Sequence, residues 1–206
     1  MKSNKKNQKR AVVFGGSGFL GSYVVAELVE RGWWVRIADL EAPPEELEYE
    51  EFVPCDLIKN ESFEKVIPAQ TDAVYNFAGM SDIDEALNKP LLTMELNVLG
   101  NLHILETCRK QKVRHFVYSS SAYACSESGS FYGISKLATE KIIEEYLTVA
   151  KYQNVNPSIE LKYPFIEVNN FTNSKKTLFS RVGNKMFFYF ILFYIILIFF
   201  INKKET

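Results

Sequence analysis

The chain has 206 residues, 47% of them hydrophobic, enough to bury one good core and little more. Its 24 Lys and Arg nearly cancel its 25 Asp and Glu, and a formal net charge of −1 excludes the basic surface of a nucleic-acid binder. Three cysteines (Cys55, Cys108, Cys125) without metal-ligand spacing are expected as reduced thiols, and His103 and His115 have no Cys or His partners in sequence, so no metal site is predicted.

Residues 1–10 form a basic leader with Lys2, Lys5, Lys6, Lys9 and Arg10. No apolar h-region follows it, so a signal peptide is not expected and the location expected is cytoplasmic. The apolar run Ala11-Val12-Val13-Phe14 reads as a strand, and Gly15-Gly16-Ser17-Gly18-Phe19-Leu20-Gly21 follows it directly. Helical spacing then runs through Tyr23–Val29. A strand, a glycine turn and a helix together can hold a pyrophosphate: glycine allows close backbone approach, and the helix start offers free N–H groups to the anion. The loop residues Gly15, Gly18, Phe19, Leu20 and Gly21 are therefore expected to bind a dinucleotide. A second strand, Trp33–Ala38, ends at Asp39, about twenty residues beyond the glycines, where a carboxylate would take the adenosine ribose hydroxyls. Leu40 and Glu41 supply no arginine for a 2′-phosphate, so NAD is expected rather than NADP.

Three more strands are predicted, at Phe52–Pro54, Ala73–Phe77 and Phe116–Tyr118. Leu92, Leu96, Leu99, Leu102 and Leu105 mark a helix over Leu91–Lys110, and another helix runs from Lys136 to Leu147. Alternating strands and helices imply an α/β fold, a Rossmann-type doubly wound parallel sheet covered on both faces, with its ligand beyond the carboxyl ends of the strands.

The fifth strand closes on Ser119-Ser120-Ser121, and Tyr132 stands four residues before Lys136 on one helix face. A nearby ammonium, with the positive charge of oxidised nicotinamide, would lower the tyrosine pKa toward neutrality. Tyr132 could then exchange a proton with a substrate hydroxyl while hydride moves to or from NAD, and Ser121 would hold the same oxygen. Ser121, Tyr132 and Lys136 are the expected catalytic residues.

With these motifs in place, residues 11–147 resemble the cofactor half of an extended short-chain dehydrogenase/reductase of the NAD-dependent sugar-nucleotide epimerase/dehydratase group. The resemblance implies that Gly15, Gly18 and Gly21 form the phosphate loop and Asp39 the ribose acid. It further implies that Asp56 and Leu57 contact adenine, that Phe77, Ala78 and Gly79 form the cofactor turn after strand four, and that Asn97 is the central-helix asparagine. Tyr132 and Lys136 then also touch the cofactor. Dehydratases of this family carry Thr-Asp-Glu after strand five, where this chain has Ser121-Ala122-Tyr123. An epimerase that removes and returns hydride at a ring carbon is thus the leading expectation, acting on a nucleotide sugar, and a homodimer through helices of this half is implied. A membrane-tethered NAD-dependent oxidoreductase and a non-catalytic NAD-binding module are the alternatives.

From about residue 148 to 206 the chain becomes an atypical tail rich in Asn, Lys, Phe and Ile. No strand-loop signature of the family is legible there; the nearest stretch is Glu160-Leu161-Lys162-Tyr163-Pro164. The family's carboxy-terminal substrate domain is expected to be missing or replaced, as a frameshift in AT-rich coding DNA would produce, with weak NAD binding and little turnover as the consequence. Met186–Ile201 is an unbroken apolar run between basic flanks, long enough as a helix for membrane contact though short for a full span.

Overall fold

The structure, a computed structural model, describes residues 8–59, 62–126, 128–152 and 160–162. Six strands form one sheet: β1 (Arg10–Phe14), β2 (Trp34–Asp39), β3 (Glu51–Pro54), β4 (Ala73–Asn76), β5 (His115–Tyr118) and β6 (Glu160–Lys162). Their order is β3-β2-β1-β4-β5-β6, and every pairing is parallel. This is the doubly wound arrangement that the alternating pattern predicts. The helices are α1 (Phe19–Glu30), α2 (Phe63–Val66), α3 (Ile83–Asn88), α4 (Pro90–Met94), α5 (Asn101–Gln111) and α6 (Ser130–Tyr152).

Parallel strands covered on both faces read as unbroken apolar runs, and β1 does so. Val12 and Phe14 enter a core that includes Phe63 of α2, Ile104 and Leu105 of α5 and Ile143 of α6. Ala11 and Val13 face the opposite way, onto Val25 and Leu28 of α1, with Val35 and Ile37 of β2. Each fully buried Val, Ile or Phe contributes about 1.5–3 kcal/mol of transfer free energy, so β1 is fixed from both sides. Arg36 is the buried charge of β2. It pairs with Glu51 at 2.7 Å and donates to the Lys65 and Val66 carbonyls, which pins the end of α2 to the sheet edge.

Three features depart from the sequence expectation. The predicted Leu91–Lys110 helix is divided: α4 ends at Met94, a π-helical turn spans Glu95–Gly100, and α5 begins at Asn101. Helix α6 starts at Ser130 and runs to Tyr152, beyond the expected limits at Lys136 and Leu147. Glu160–Lys162, placed by its composition in the atypical tail, is a sixth strand that pairs with β5 through His115, Phe116 and Val117. A short parallel strand owes its form to the edge it adds to, and three residues carry too little pattern to announce it. The apolar run 186–201 lies outside the described residues. Among the described residues, no helix is long and apolar enough to cross a membrane.

Candidate functional site

The sheet's order reverses between β1 and β4, and the loops leaving those strands part to open a cavity of about 860 Å³. Its floor is the glycine loop. Gly15 takes φ +70°, and a Cβ there would lie 2.6 Å from the Ala78 backbone nitrogen. A Cβ on Gly21 would overlap the Gly15 carbonyl oxygen. Gly18 caps α1 without a side-chain acceptor and the first turn holds no acid, so the positive end of the helix faces the cavity uncompensated. That cradle fits a pyrophosphate. Phe19 and Leu20, both exposed, line the same wall.

Asp39 stands at the end of β2 on the cavity rim. Its carboxylate accepts from the Ser17 N–H at 3.0 Å and the Leu40 N–H at 2.7 Å, which locks the acid beside the loop. Leu57 lines the cavity behind it, backed by Gly100, where a Cβ would come within 3.1 Å of the leucine. Phe77, Ala78 and Gly79 form the opposite lip.

Beyond β5, three consecutive serines meet three side chains of α6. Ser121 stands beside Tyr132, close enough to pull the pKa of the phenol down. The Lys136 ammonium donates to the Ser119 carbonyl at 2.9 Å, and the Ser120 hydroxyl donates to Glu140. Tyr132 and Lys136 both line the cavity. Lys136 is only 6% exposed, with its ammonium 5.0 Å from the Tyr118 ring centre and 5.6 Å from that of Tyr132. Burial drives its pKa down to about 8, against an upward pull from Glu140. In the chain alone, burial raises the pKa of Tyr132, outweighing the lowering from Ser121, and Tyr123 adds a smaller upward contribution. The chain's own charges do not activate this phenol.

The profile of the NAD dependent epimerase/dehydratase family matches residues 11–159. The chain belongs to that family. Epimerase/dehydratase relatives include the UDP-glucose 4-epimerase uge1 of Schizosaccharomyces pombe, 33% identical over 171 residues, which are 69% of this chain and 48% of that one. The UDP-glucose 4-epimerase of Erwinia amylovora is 32% identical over 177 residues, 74% of this chain and 52% of its own. Among solved structures, UDP-glucose 4-epimerase with UDP-glucose from Thermotoga maritima aligns at TM-score 0.64 and 25% identity, over 75% of this chain and 54% of that one. The Thermus thermophilus UDP-glucose 4-epimerase complex with NAD aligns at TM-score 0.58 and 27% identity, over 75% and 53%. The chain spans about half the length of the curated relatives it matches.

Not every residue expected from the family pattern reaches the cavity wall of this epimerase/dehydratase chain. Gly15, Gly18, Phe19, Leu20, Gly21, Asp39, Leu57, Phe77, Ala78, Gly79, Tyr132 and Lys136 line it; Asp56, Asn97 and Ser121 do not. Asp56 is engaged locally, accepting from the Ile58 and Lys59 N–H groups at 2.9 and 3.2 Å. Ser121 caps a 3₁₀ turn (Ala122–Cys125) by accepting from the Tyr123 N–H. Asn97 is fully buried in the π-helical turn and works from behind the wall. Its side chain accepts from the Met80 N–H at 2.7 Å and donates to the Met80 carbonyl at 3.0 Å and to Ser135 at 2.9 Å. Its backbone carbonyl takes bonds from Thr139 at 2.6 Å and Asn101 at 2.7 Å. Asn97 thereby clamps the loop after β4 to α6. Gly79 is part of that clamp: at φ +139°, a Cβ would overlap the Asn97 amide oxygen.

Sequence reasoning overlooked Glu140, Ser135, Thr139 and Asn101. Glu140 had a signal, since it follows Lys136 by four residues on one helical face. The others are buried polar residues whose tertiary partners lie 25 to 42 residues away, and local spacing does not reveal those bonds.

Proposed function

We propose that this chain forms the NAD-binding half of a sugar-nucleotide epimerase acting on UDP-hexoses. The observation carrying this reading is the convergence of Tyr132, Lys136 and the Ser121-linked turn at one end of a cavity whose other end is a glycine cradle with Asp39 on its rim. The relatives' description as UDP-glucose 4-epimerases supports the substrate class. When bound, NAD would supply a hydride acceptor and donor at a sugar ring carbon.

The chain's residues supply the rest. The cradle and α1 hold the pyrophosphate, and the Asp39 carboxylate takes the ribose hydroxyls while repelling a 2′-phosphate. The Tyr132 side chain, as phenolate, would take the proton from the sugar hydroxyl and later return it. A phenol is already protonated at neutral pH and burial raises its pKa further, so positive charge must enter the site before Tyr132 can act as a base. Lys136 supplies one such charge from beside the ring. Ser121, beside Tyr132 in the turn after β5, would steady the same oxygen. No carboxylate follows β5, where Ser121-Ala122-Tyr123 stand, so water elimination lacks its acid and base.

The test is single-turnover reduction of NAD by UDP-glucose on the purified chain, followed by the near-ultraviolet absorbance of reduced nicotinamide. The wild-type chain, though expected to turn over little, should accumulate that signal within a single turnover, and Tyr132→Phe should slow it by roughly 100-fold or more. Equal rates in the two proteins, or no signal from either, would overturn the assignment.

A further inference from the structure

The serine run after β5 and the face of α6 meet at three points, and the proposed chemistry uses only two of them. Tyr132, Lys136 and Glu140 are four residues apart on α6, so they stack along one face. Tyr132 stands beside Ser121, Lys136 donates to the Ser119 carbonyl and Glu140 accepts from the Ser120 hydroxyl. Glu140 is half-buried and Lys136 buried, so the carboxylate acts on the ammonium through poorly screened surroundings.

We propose that Glu140 is a positioning residue for this site: its carboxylate holds the Ser119–Ser121 segment through Ser120 and sustains the positive charge of Lys136 beside Tyr132. An ammonium that is buried, and that must share a cavity with a cationic nicotinamide, is pressed to lose its proton on both counts. A neutral Lys136 could no longer stabilise the Tyr132 phenolate. Glu140 opposes that loss. Tyr118, presented by β5, also stands close, with its ring centre 5.0 Å from the Lys136 ammonium. Tyr123 and Cys125 in the 3₁₀ turn, Asp84 and Glu85 on α3, Glu95 in the π-helical turn, and Glu106 and Arg109 on α5 belong to elements packed on α6, but the lowered pKa of Lys136 reflects burial opposed by Glu140. What the charge is for rests on the functional reading above; that Glu140 maintains it does not.

The experiment therefore uses the full chain without NAD. Lys136 is titrated by the pH dependence of its acetylation, quantified by mass spectrometry, in the wild type and in Glu140→Gln. The glutamine keeps an oxygen for Ser120 and removes the charge. The Lys136 midpoint should fall by about one pH unit, which raises labelling at pH 7 about five-fold. Glu140→Asp should sit between the two. Glu140→Asp also keeps the test decisive if Glu140→Gln does not fold. An unmoved midpoint in either folded variant would overturn the proposal. Failure of the wild type to bind NAD would count against the functional reading and leave the Glu140–Lys136 link to be judged by these titrations.

Discussion

Lys136→Met should make the chain more stable at neutral pH, with a gain that shrinks as the pH rises. The wild-type lysine is buried to 6% exposure, and its pKa falls from 10.5 to about 8. At pH 7 the ammonium is charged in both the folded and unfolded chain, and the fold carries the cost of burying it. Above pH 8 the folded chain releases the proton while the unfolded chain still holds it up to its ordinary value. The unfolded state then binds more protons, so wild-type stability rises with pH in that window. With these two values, linkage gives a rise of about 2 kcal/mol between pH 7 and pH 9.5, because holding one extra proton in the unfolded state is worth about 1.4 kcal/mol for every pH unit crossed. Methionine has no proton to lose, and it forfeits only the bond to the Ser119 carbonyl, a pH-independent loss of about 1 kcal/mol. Urea unfolding of both proteins across pH 7 to 9.5 measures the difference curve directly, and stopping there keeps Tyr132, whose pKa is raised, out of the titration. Convergence of the two curves by about 2 kcal/mol is the expected result. Parallel curves would refute the claim that Lys136 is held charged against its burial.

Other perturbations probe the cradle and the clamp. Gly21→Ala drives a methyl into the Gly15 carbonyl, so NADH affinity should fall by at least about ten-fold, read by the fluorescence of bound NADH. Asn97→Ala strands the Met80 N–H and carbonyl in a buried turn; unfolding free energy should drop by about 2–4 kcal/mol in a denaturant titration. Asp39→Asn removes the charge that excludes a 2′-phosphate, so competition binding should show NAD weakened roughly ten-fold and its preference over NADP narrowed.

The cofactor end of the site is written in short-range sequence, and the rest is not. Strand, glycine turn, helix start and ribose acid lie between Ala11 and Asp39, each fixed by its neighbours, so pattern alone locates them. Tyr132 and Lys136 are legible for the same reason, as two turns of one helix. The division of Leu91–Lys110 is invisible because it answers to a distant demand. Asn97 must release a carbonyl to Thr139 on α6 while its amide reaches Met80, and a π-helical turn permits both. Helix α3 carried an unused local signal: the Asp82 side chain accepts from the Glu85 N–H at 2.7 Å, an N-terminal cap at three-residue spacing. The state of Tyr132 required three dimensions, since burial decides its sign and sequence does not report burial.

The most direct measurement is NADH binding to the purified chain by fluorescence, with Gly21→Ala alongside. Saturable one-site binding by the wild type, lost in a variant that remains folded by circular dichroism, is the result expected of a dinucleotide cradle between β1 and β4. Absence of binding by the folded wild type, or equal binding by the two proteins, would contradict it.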